Sequence, residues 1–177
     1  MKNKNSVRRI AFSALVAAVY AALTMALGFM SYNGIQFRVA EALCVLPFFF
    51  PCTTWGIFIG CVIANLLSPA GPLDVVFGSL ASLLCCLSVS ALGRGVKECG
   101  AWRKVLVCLC PVVFNALIVG AVLAFTIAEP GMSFATAFAI FGAQVAFGEL
   151  VVMFTLGMAL MAYLPKMKLY NMLKEKI

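Results

Sequence analysis

The sequence predicts an all-α membrane protein with six transmembrane helices and both termini in the cytoplasm. Of its 177 residues, 64% are hydrophobic and 11% are charged, whereas soluble domains carry about 25% charged residues. A membrane-spanning helix needs about 20 apolar residues, so one integral membrane domain over residues 1–177 accommodates about six spans. His is absent, which excludes imidazole-based acid–base chemistry and argues against an enzyme.

The basic residues predict the orientation of the chain. Of the 13 Lys and Arg side chains, 12 fall into three clusters between or outside the apolar runs. By the positive-inside rule, all three clusters face the cytoplasm. A nucleic-acid-binding protein needs a contiguous basic face instead, so this class is not favoured. The clusters comprise Lys2, Lys4, Arg8 and Arg9; Arg94, Lys97, Arg103 and Lys104; and Lys166, Lys168, Lys174 and Lys176.

The first three predicted spans cover about residues 10–30, 36–50 and 54–68. The first is longer than the apolar part of a signal peptide, which is typically about 7 to 15 residues. The second and third have apolar cores of roughly 12 to 15 residues, too short to cross a core of about 30 Å. Their outer ends are therefore predicted to be recessed. Recessed irregular backbone is tolerated where it lines a cavity, which favours an outward-facing pocket.

The last three predicted spans cover about residues 73–92, 105–128 and 143–164. The fourth follows a turn at 68–72 that contains two prolines and a glycine. The apolar run from 133 to 164 is too long for one perpendicular helix. Counting back about 22 residues from Pro165 starts the sixth span near Ala143. Residues 131–142 are then expected to form a short interfacial or re-entrant piece above the pocket.

With this topology, five ionisable residues fall in the outer half of the membrane domain. They are one cation, Arg38, and four anions, Glu41, Asp74, Glu129 and Glu149, which gives a net charge of −3. Ionisable groups at membrane depth are costly and mark functional sites by default. An anionic pocket open to the outside favours a cationic ligand or one rich in hydrogen-bond donors.

Each of these residues also has a structural interpretation. Arg38 and Glu41 are three residues apart, so they pair on a helix as readily as they contact a ligand. Asp74 has the position of a helix N-cap, which does not exclude binding. Glu129 lies in a Pro-Gly loop and is expected to be solvated. Glu149 lies about six residues inside the sixth span and is the best candidate for ligand recognition.

Two asparagines and six of the eight cysteines also lie in the apolar runs. We take Asn65 as a site candidate. Asn115 serves an interhelix hydrogen bond or the site with equal weight. Most of the cysteines lie in apolar runs and behave as small hydrophobic side chains, so no metal site is predicted.

Alanines repeat every four residues along the first span, at Ala14, Ala18, Ala22 and Ala26. Faces of small residues let helices approach closely in lipid. The stripe therefore packs either within this bundle or against another membrane protein, and the sequence does not separate the two.

Three strings resemble the QueT family: GIQFRVAEAL at 34–43, NLLSPxGPLDxxFGSLA at 65–81, and FNA at 114–116. Members of this family are substrate-binding S components of energy-coupling factor (ECF) importers. The resemblance implies a six-helix subunit in the bacterial plasma membrane that captures a queuosine precursor, a 7-deazaguanine base, from outside. It implies two kinds of partner, the transmembrane coupling protein EcfT and two cytoplasmic ATPases. No P-loop is evident here, so ATP is expected to be used by the partners, and no cofactor is expected.

The resemblance also implies roles for residues. We expect Glu149 on the edge of the base that carries N1–H and the 2-amino group, where a carboxylate accepts both. If the precursor carries an aminomethyl group, Asp74 or Glu41 is expected near the amine. The remaining ligand contacts are assigned to Gln36, Asn65, Arg38 and Asn115, with Phe37, Tyr32 or Phe77 stacking on the ring.

The family's docking face for EcfT maps best onto Ala14 and Ala18. The preferred precursor stays open. The alternative function is a stand-alone secondary transporter of a small cationic or nucleobase-like solute, in which Glu149 and Asp74 relay protons.

Overall fold

The computed structural model describes residues 2–31, 37–96 and 99–176. About 85% of the chain is helical, and the described residues form no strand. The all-α class is therefore confirmed. The helices, numbered in chain order, are α1 (Lys2–Ala26), α2 (Gly28–Ser31), α3 (Val39–Phe49), α4 (Thr53–Asn65), α5 (Asp74–Gly93), α6 (Ala101–Thr126), α7 (Phe134–Lys166) and α8 (Lys168–Lys176).

Within the described ranges, four helices are long and apolar enough to cross a membrane: α1, α5, α6 and α7. Helices α3 and α4 are apolar but shorter, as the sequence predicted for the second and third spans. Large apolar side chains such as Leu15, Leu117 and Phe125 are exposed on the outside of the bundle, where lipid tails replace water as their solvent. The chain is a multi-pass membrane protein, while the count of six spans and the orientation of the termini stay predictions.

Helix α7 differs from the sequence-based expectation. It begins at Phe134, where the Ser133 hydroxyl accepts a hydrogen bond from the backbone N–H of Thr136 (3.2 Å). It continues past Ala143 without a break, so residues 134–142 are its first turns and not a separate piece. The segment contains no proline, so every backbone N–H can continue the helical ladder. A 33-residue helix is about 50 Å long and spans a membrane by tilting or by extending beyond it.

Small residues set the helix crossings. Helix α1 packs along α4, α4 contacts α5, α5 contacts α6, and α6 packs along α7. A Cβ added at Gly60 of α4 would lie 2.6 Å from the carbonyl oxygen of Ala17, and one added at Gly120 of α6 would lie 2.7 Å from the Cα of Gly142. These helices therefore approach each other almost backbone to backbone, as small residues permit in lipid.

Three irregular turns interrupt the regular helices of the bundle. The first part of α3, Val39–Val45, is a 3₁₀ helix, and α5 and α7 contain π-helical turns at Asp74–Gly78 and Met153–Gly157. The 3₁₀ segment of α3 contacts the π turn of α7. Long 3₁₀ runs are uncommon and π turns are frequent at functional sites. Two of these segments contain Glu41 and Asp74, and the third begins four residues after Glu149.

The orientation of the chain is tested through Cys99, which lies in the basic loop between α5 and α6. Burial raises the pKa of the Cys99 thiol, while Lys104 and Arg103 act in the opposite direction, so labelling is best done at mildly alkaline pH. In a Cys52→Ser background, which removes the other cysteine in a loop, an impermeant maleimide should label inverted vesicles and not intact cells.

A Cys52→Ser/Cys99→Ser double variant gives the background signal. Labelling of Cys99 in intact cells would place this loop outside and overturn the predicted orientation.

Candidate functional site

Polar side chains from six helices and the segment before α3 meet inside the apolar bundle. All are at most 3% exposed, and each is tied to the others by a hydrogen bond or by charge. We call this group the polar cluster: Tyr20 of α1, Arg38 before α3, Glu41 of α3, Asn65 of α4, Asp74 and Ser82 of α5, Asn115 of α6 and Glu149 of α7.

The carboxylate of Glu41 is held by donors from three helices. Its Oε1 accepts hydrogen bonds from the Tyr20 hydroxyl and, at 3.5 Å, from the Ser82 hydroxyl. Its Oε2 accepts from the Cys44 thiol at 2.9 Å. Both oxygens of this fully buried group therefore have protein partners, which identifies Glu41 as a tie between α1, α3 and α5.

Arg38 lies between two carboxylates. Its Nη1 is 3.9 Å from Oε1 of Glu41, and its Nη2 is 4.0 Å from Oδ2 of Asp74. The ion pair expected from the spacing of Arg38 and Glu41 is therefore present, together with a second pair that the sequence did not indicate. Both separations exceed a hydrogen bond, and Nε and Nη2 have no hydrogen-bond partner among the described residues. The guanidinium keeps donors available for another molecule.

Asp74 does not act as a helix cap. Its side chain is fully buried, and neither carboxylate oxygen has a hydrogen-bond partner in the part of the chain that the structure describes. Asn65 lies beside it, because the Asn65 side-chain N–H donates to the main-chain carbonyl of Asp74 at 3.0 Å. A Cβ at Gly78 would overlap Oδ1 of Asp74 and lie 2.9 Å from Nδ2 of Asn65. The absence of a Cβ at Gly78 therefore makes room for the side chains of Asp74 and Asn65.

Glu149 pairs with Asn115 across the α6–α7 crossing. The Asn115 Nδ2 donates to Glu149 Oε1 at 2.9 Å. This bond leaves Glu149 Oε2 and Asn115 Oδ1 without a hydrogen-bond partner in the described ranges, so Asn115 serves both an interhelix bond and the cluster. Because α7 begins at Phe134, Glu149 lies about 22 Å along its helix, deeper than the roughly six residues expected from the sequence. Helix α7 contacts the 3₁₀ segment of α3 that contains Glu41.

The remaining candidates are placed as follows. Phe37 precedes Arg38, and its ring contacts that of Phe147 edge to face, with centroids 6.4 Å apart. Phe77 is exposed and lines an apolar groove between α5 and α6, so it lies apart from the polar cluster. Gln36 and Tyr32 lie outside the described residues. Glu129 is exposed in the loop between α6 and α7.

The alanines of α1 lie on two faces. Ala17 and Ala21 are buried on the same side of the helix as Tyr20, whereas Ala14 and Ala18 are exposed. The exposed pair lines a groove of about 500 Å³ between α1 and α4, together with apolar side chains of α4 such as Ile59. The first of these faces packs within the bundle, and the second is open at the surface.

Sequence reasoning did not identify Tyr20, Ser82 or Gly78. Two signals were present. Tyr20 interrupts the small residues of α1 on the face of Ala17, and Asp74, Gly78 and Ser82 follow one another every four residues, which puts them on one face of α5.

The cluster is rich in hydrogen-bond acceptors. The cluster contains one cation and three carboxylates, and its unpartnered acceptor oxygens belong to Asn65, Asp74, Asn115 and Glu149. Each buried polar group without a partner costs about 1 to 3 kcal/mol. This arrangement therefore suits a ligand with several donors. In the described part of the chain, no three Cys, Asp or Glu side chains are arranged to hold a metal ion.

Comparison with known families agrees with a transport role. The family model described as "QueT transporter" matches residues 10–166, nearly the whole chain. The chain belongs to the QueT transporter family. This confirms the resemblance seen in the sequence strings, and it assigns the membrane-spanning bundle to transport.

A curated relative is the "Queuosine precursor transporter QueT" of Lactococcus lactis subsp. cremoris (strain MG1363). It is 44% identical over 73 residues, which are 40% of this chain. The aligned part spans 43% of the relative's length, which is less than half. No solved structure matches the chain.

Replacing Arg38 tests the charge balance of the cluster. Arg38→Met removes the cation between Glu41 and Asp74 and should lower the free energy of unfolding by about 3 kcal/mol, because Asp74 is then buried without a partner and Glu41 without a counter-charge. The melting temperature in detergent, followed by tryptophan fluorescence, should fall by several degrees. Arg94→Met, at the exposed end of α5, should change it little. An unchanged melting temperature for Arg38→Met would contradict the charge balance described here.

Proposed function

We propose that this protein is the substrate-binding S component of an ECF-type importer in the bacterial plasma membrane. It captures a queuosine precursor, a 7-deazaguanine base, from outside and delivers it through EcfT and two cytoplasmic ATPases. Membership of the QueT family supports the transport of such a precursor, and the name of the Lactococcus relative agrees with it. The chain itself hydrolyses nothing in this proposal.

The observation that carries the substrate proposal is the set of unpartnered polar atoms in the cluster. The Asn115–Glu149 pair has two unpartnered acceptors, Asn115 Oδ1 and Glu149 Oε2. A guanine-like base presents two neighbouring donors, N1–H and the 2-amino group. A carboxylate hydrogen bond to such donors is charge-assisted and strong. Glu149, with Asn115, is therefore assigned to this edge of the base.

The opposite edge of the base needs donors. In a 7-deazaguanine, carbon replaces N7, so O6 is the acceptor left on the edge that carries N7 and O6 in guanine. Arg38 has Nε and Nη2 without hydrogen-bond partners in the described ranges and lies within charge range of Glu149. Arg38 is therefore assigned to O6. Phe37 and the Gln36 side chain remain candidates for the ring face and the remaining polar contacts.

The exposed face of α1 supports docking to EcfT. Ala14 and Ala18 line the groove between α1 and α4, and a helix of the coupling protein can approach closely where side chains are this small. The buried face of the same helix carries Tyr20, which bonds to Glu41. In this proposal, docking and ligand binding use different side chains of one helix.

A stand-alone proton-coupled transporter is the second candidate. It is favoured by the buried Asp74 and Glu149 oxygens, which have no hydrogen-bond partner in the described part of the chain, because buried carboxylates serve as proton relays in transporters. Uptake into proteoliposomes separates the two. The ECF proposal requires the partner proteins and ATP, whereas the alternative requires a proton gradient alone.

The first prediction concerns Glu149. Glu149→Gln keeps the shape but places an amide donor where the ligand's own N–H groups point. Loss of a charge-assisted hydrogen bond should lower the affinity for 7-aminomethyl-7-deazaguanine by about 10- to 100-fold. Calorimetric titration of the purified variant measures this. Glu129→Gln, the same change in the exposed loop, is the matched control. A folded Glu149→Gln protein with wild-type affinity would remove Glu149 from the site.

The second prediction concerns docking. Ala14→Trp or Ala18→Trp puts a bulky ring on the exposed face of α1 and should abolish co-purification with EcfT and ATP-driven uptake. Ligand affinity in detergent should stay near that of the wild type, because the polar cluster is not touched.

Ala139→Trp, at an exposed position of α7, controls for the bulk of the side chain. Ala17→Trp, on the buried face of α1, should instead destabilise the fold. Transport that persists in both Ala14→Trp and Ala18→Trp would assign this face to lipid.

A further inference from the structure

The buried carboxylates of the cluster differ in what already occupies their oxygens. Glu41 accepts from Tyr20, Cys44 and Ser82. Asp74, equally buried, has no hydrogen-bond donor for either oxygen within the described ranges. A carboxylate buried in this way is stabilised by a donor from another molecule. The sequence left Asp74 and Glu41 as equal candidates for contact with a cationic group, and the hydrogen bonds now separate them.

Arg38 does not neutralise Asp74 fully. Its guanidinium lies 3.9 Å from Glu41 Oε1 and 4.0 Å from Asp74 Oδ2. Both distances are too long for a hydrogen bond. Two carboxylates therefore share one guanidinium. A ligand that brings a positive charge therefore reduces the electrostatic cost of the site.

Asp74 and Asn65 together have as many unpartnered acceptor oxygens as an alkylammonium group has N–H donors. Asn65 is held against Asp74 by its own N–H, and its Oδ1 has no hydrogen-bond partner in the described part of the chain. Together, the two side chains offer three acceptor oxygens, and an alkylammonium offers three N–H donors. Asp74 Oδ1 and Asn65 Nδ2 both border the position of a Gly78 Cβ, so the two side chains are direct neighbours.

We propose that Asp74, together with Asn65, is the specificity-determining subsite that receives the protonated amine of an aminomethyl substituent on the ligand. The proposal rests on the function proposed above. It means that the protein selects 7-aminomethyl-7-deazaguanine over the 7-cyano analogue. The cyano nitrogen only accepts hydrogen bonds and carries no positive charge, so it gives the Asp74 carboxylate neither a donor nor a counter-charge.

The experiment compares two ligands that share the base and differ only at the 7-substituent. Calorimetric titration of the wild-type protein should give an affinity at least about tenfold higher for the aminomethyl ligand than for the cyano ligand, equivalent to one charge-assisted hydrogen bond. Asp74→Asn should lower the affinity for the aminomethyl ligand by about 10- to 100-fold and leave the cyano ligand within about threefold. Discrimination is thereby lost.

Two further variants separate recognition from a structural role. Glu149 is assigned to the base, which both ligands share, so Glu149→Gln should lower the affinity for both ligands equally. Gly78→Ala pushes Asp74 and Asn65 out of place and should weaken the aminomethyl ligand selectively. Gly157→Ala is its matched control, because it also ends a π turn, but its Cβ meets only the flexible end of Met153 and the Cys108 thiol.

Equal wild-type affinity for the two ligands, or an equal loss of both in Asp74→Asn, overturns the proposal while the proposed function stands. Binding of neither ligand by the folded wild-type protein overturns the proposed function, and this inference with it. Retained cyano binding in Asp74→Asn shows that the variant is folded.

Discussion

The structure depends on the placement of one guanidinium between two carboxylates inside an apolar bundle. Arg38 lies between Glu41 and Asp74. Without a cation there, burial of these groups would cost several kcal/mol each. The segment before α3 and the helices α3 and α5 are therefore held in one arrangement by charge, while small residues bring the apolar faces of the helices together.

The backbone accommodates the buried carboxylates through irregular helical turns. The 3₁₀ segment of α3 and the π turn of α5 contain Glu41 and Asp74, and the π turn of α7 follows Glu149. Such turns are less stable than α-helix, and they persist where surrounding contacts determine them. Position 78 in the π turn of α5 has room only for glycine, because a Cβ there would overlap the Asp74 carboxylate.

Helix α1 connects the site with the surface. Tyr20 reaches inward to Glu41, and the crossing at Gly60 of α4 brings the backbone of α1 close enough for this contact. Along the groove between α1 and α4, Ala14 and Ala18 remain exposed.

The sequence by itself determined the class of the protein, the approximate positions of the apolar helices and most of the polar cluster, because apolar run length and charges at membrane depth are local properties. It also indicated the family, through strings that contain Glu41, Asn65, Asp74 and Asn115. It did not determine the start of α7 at Phe134, because helix tilt and extension depend on packing. Only the tertiary structure decided that Tyr20 ties Glu41, that Asp74 keeps its oxygens unpartnered, and which alanines of α1 are exposed. These properties depend on contacts between helices far apart in sequence, whose register no local pattern specifies.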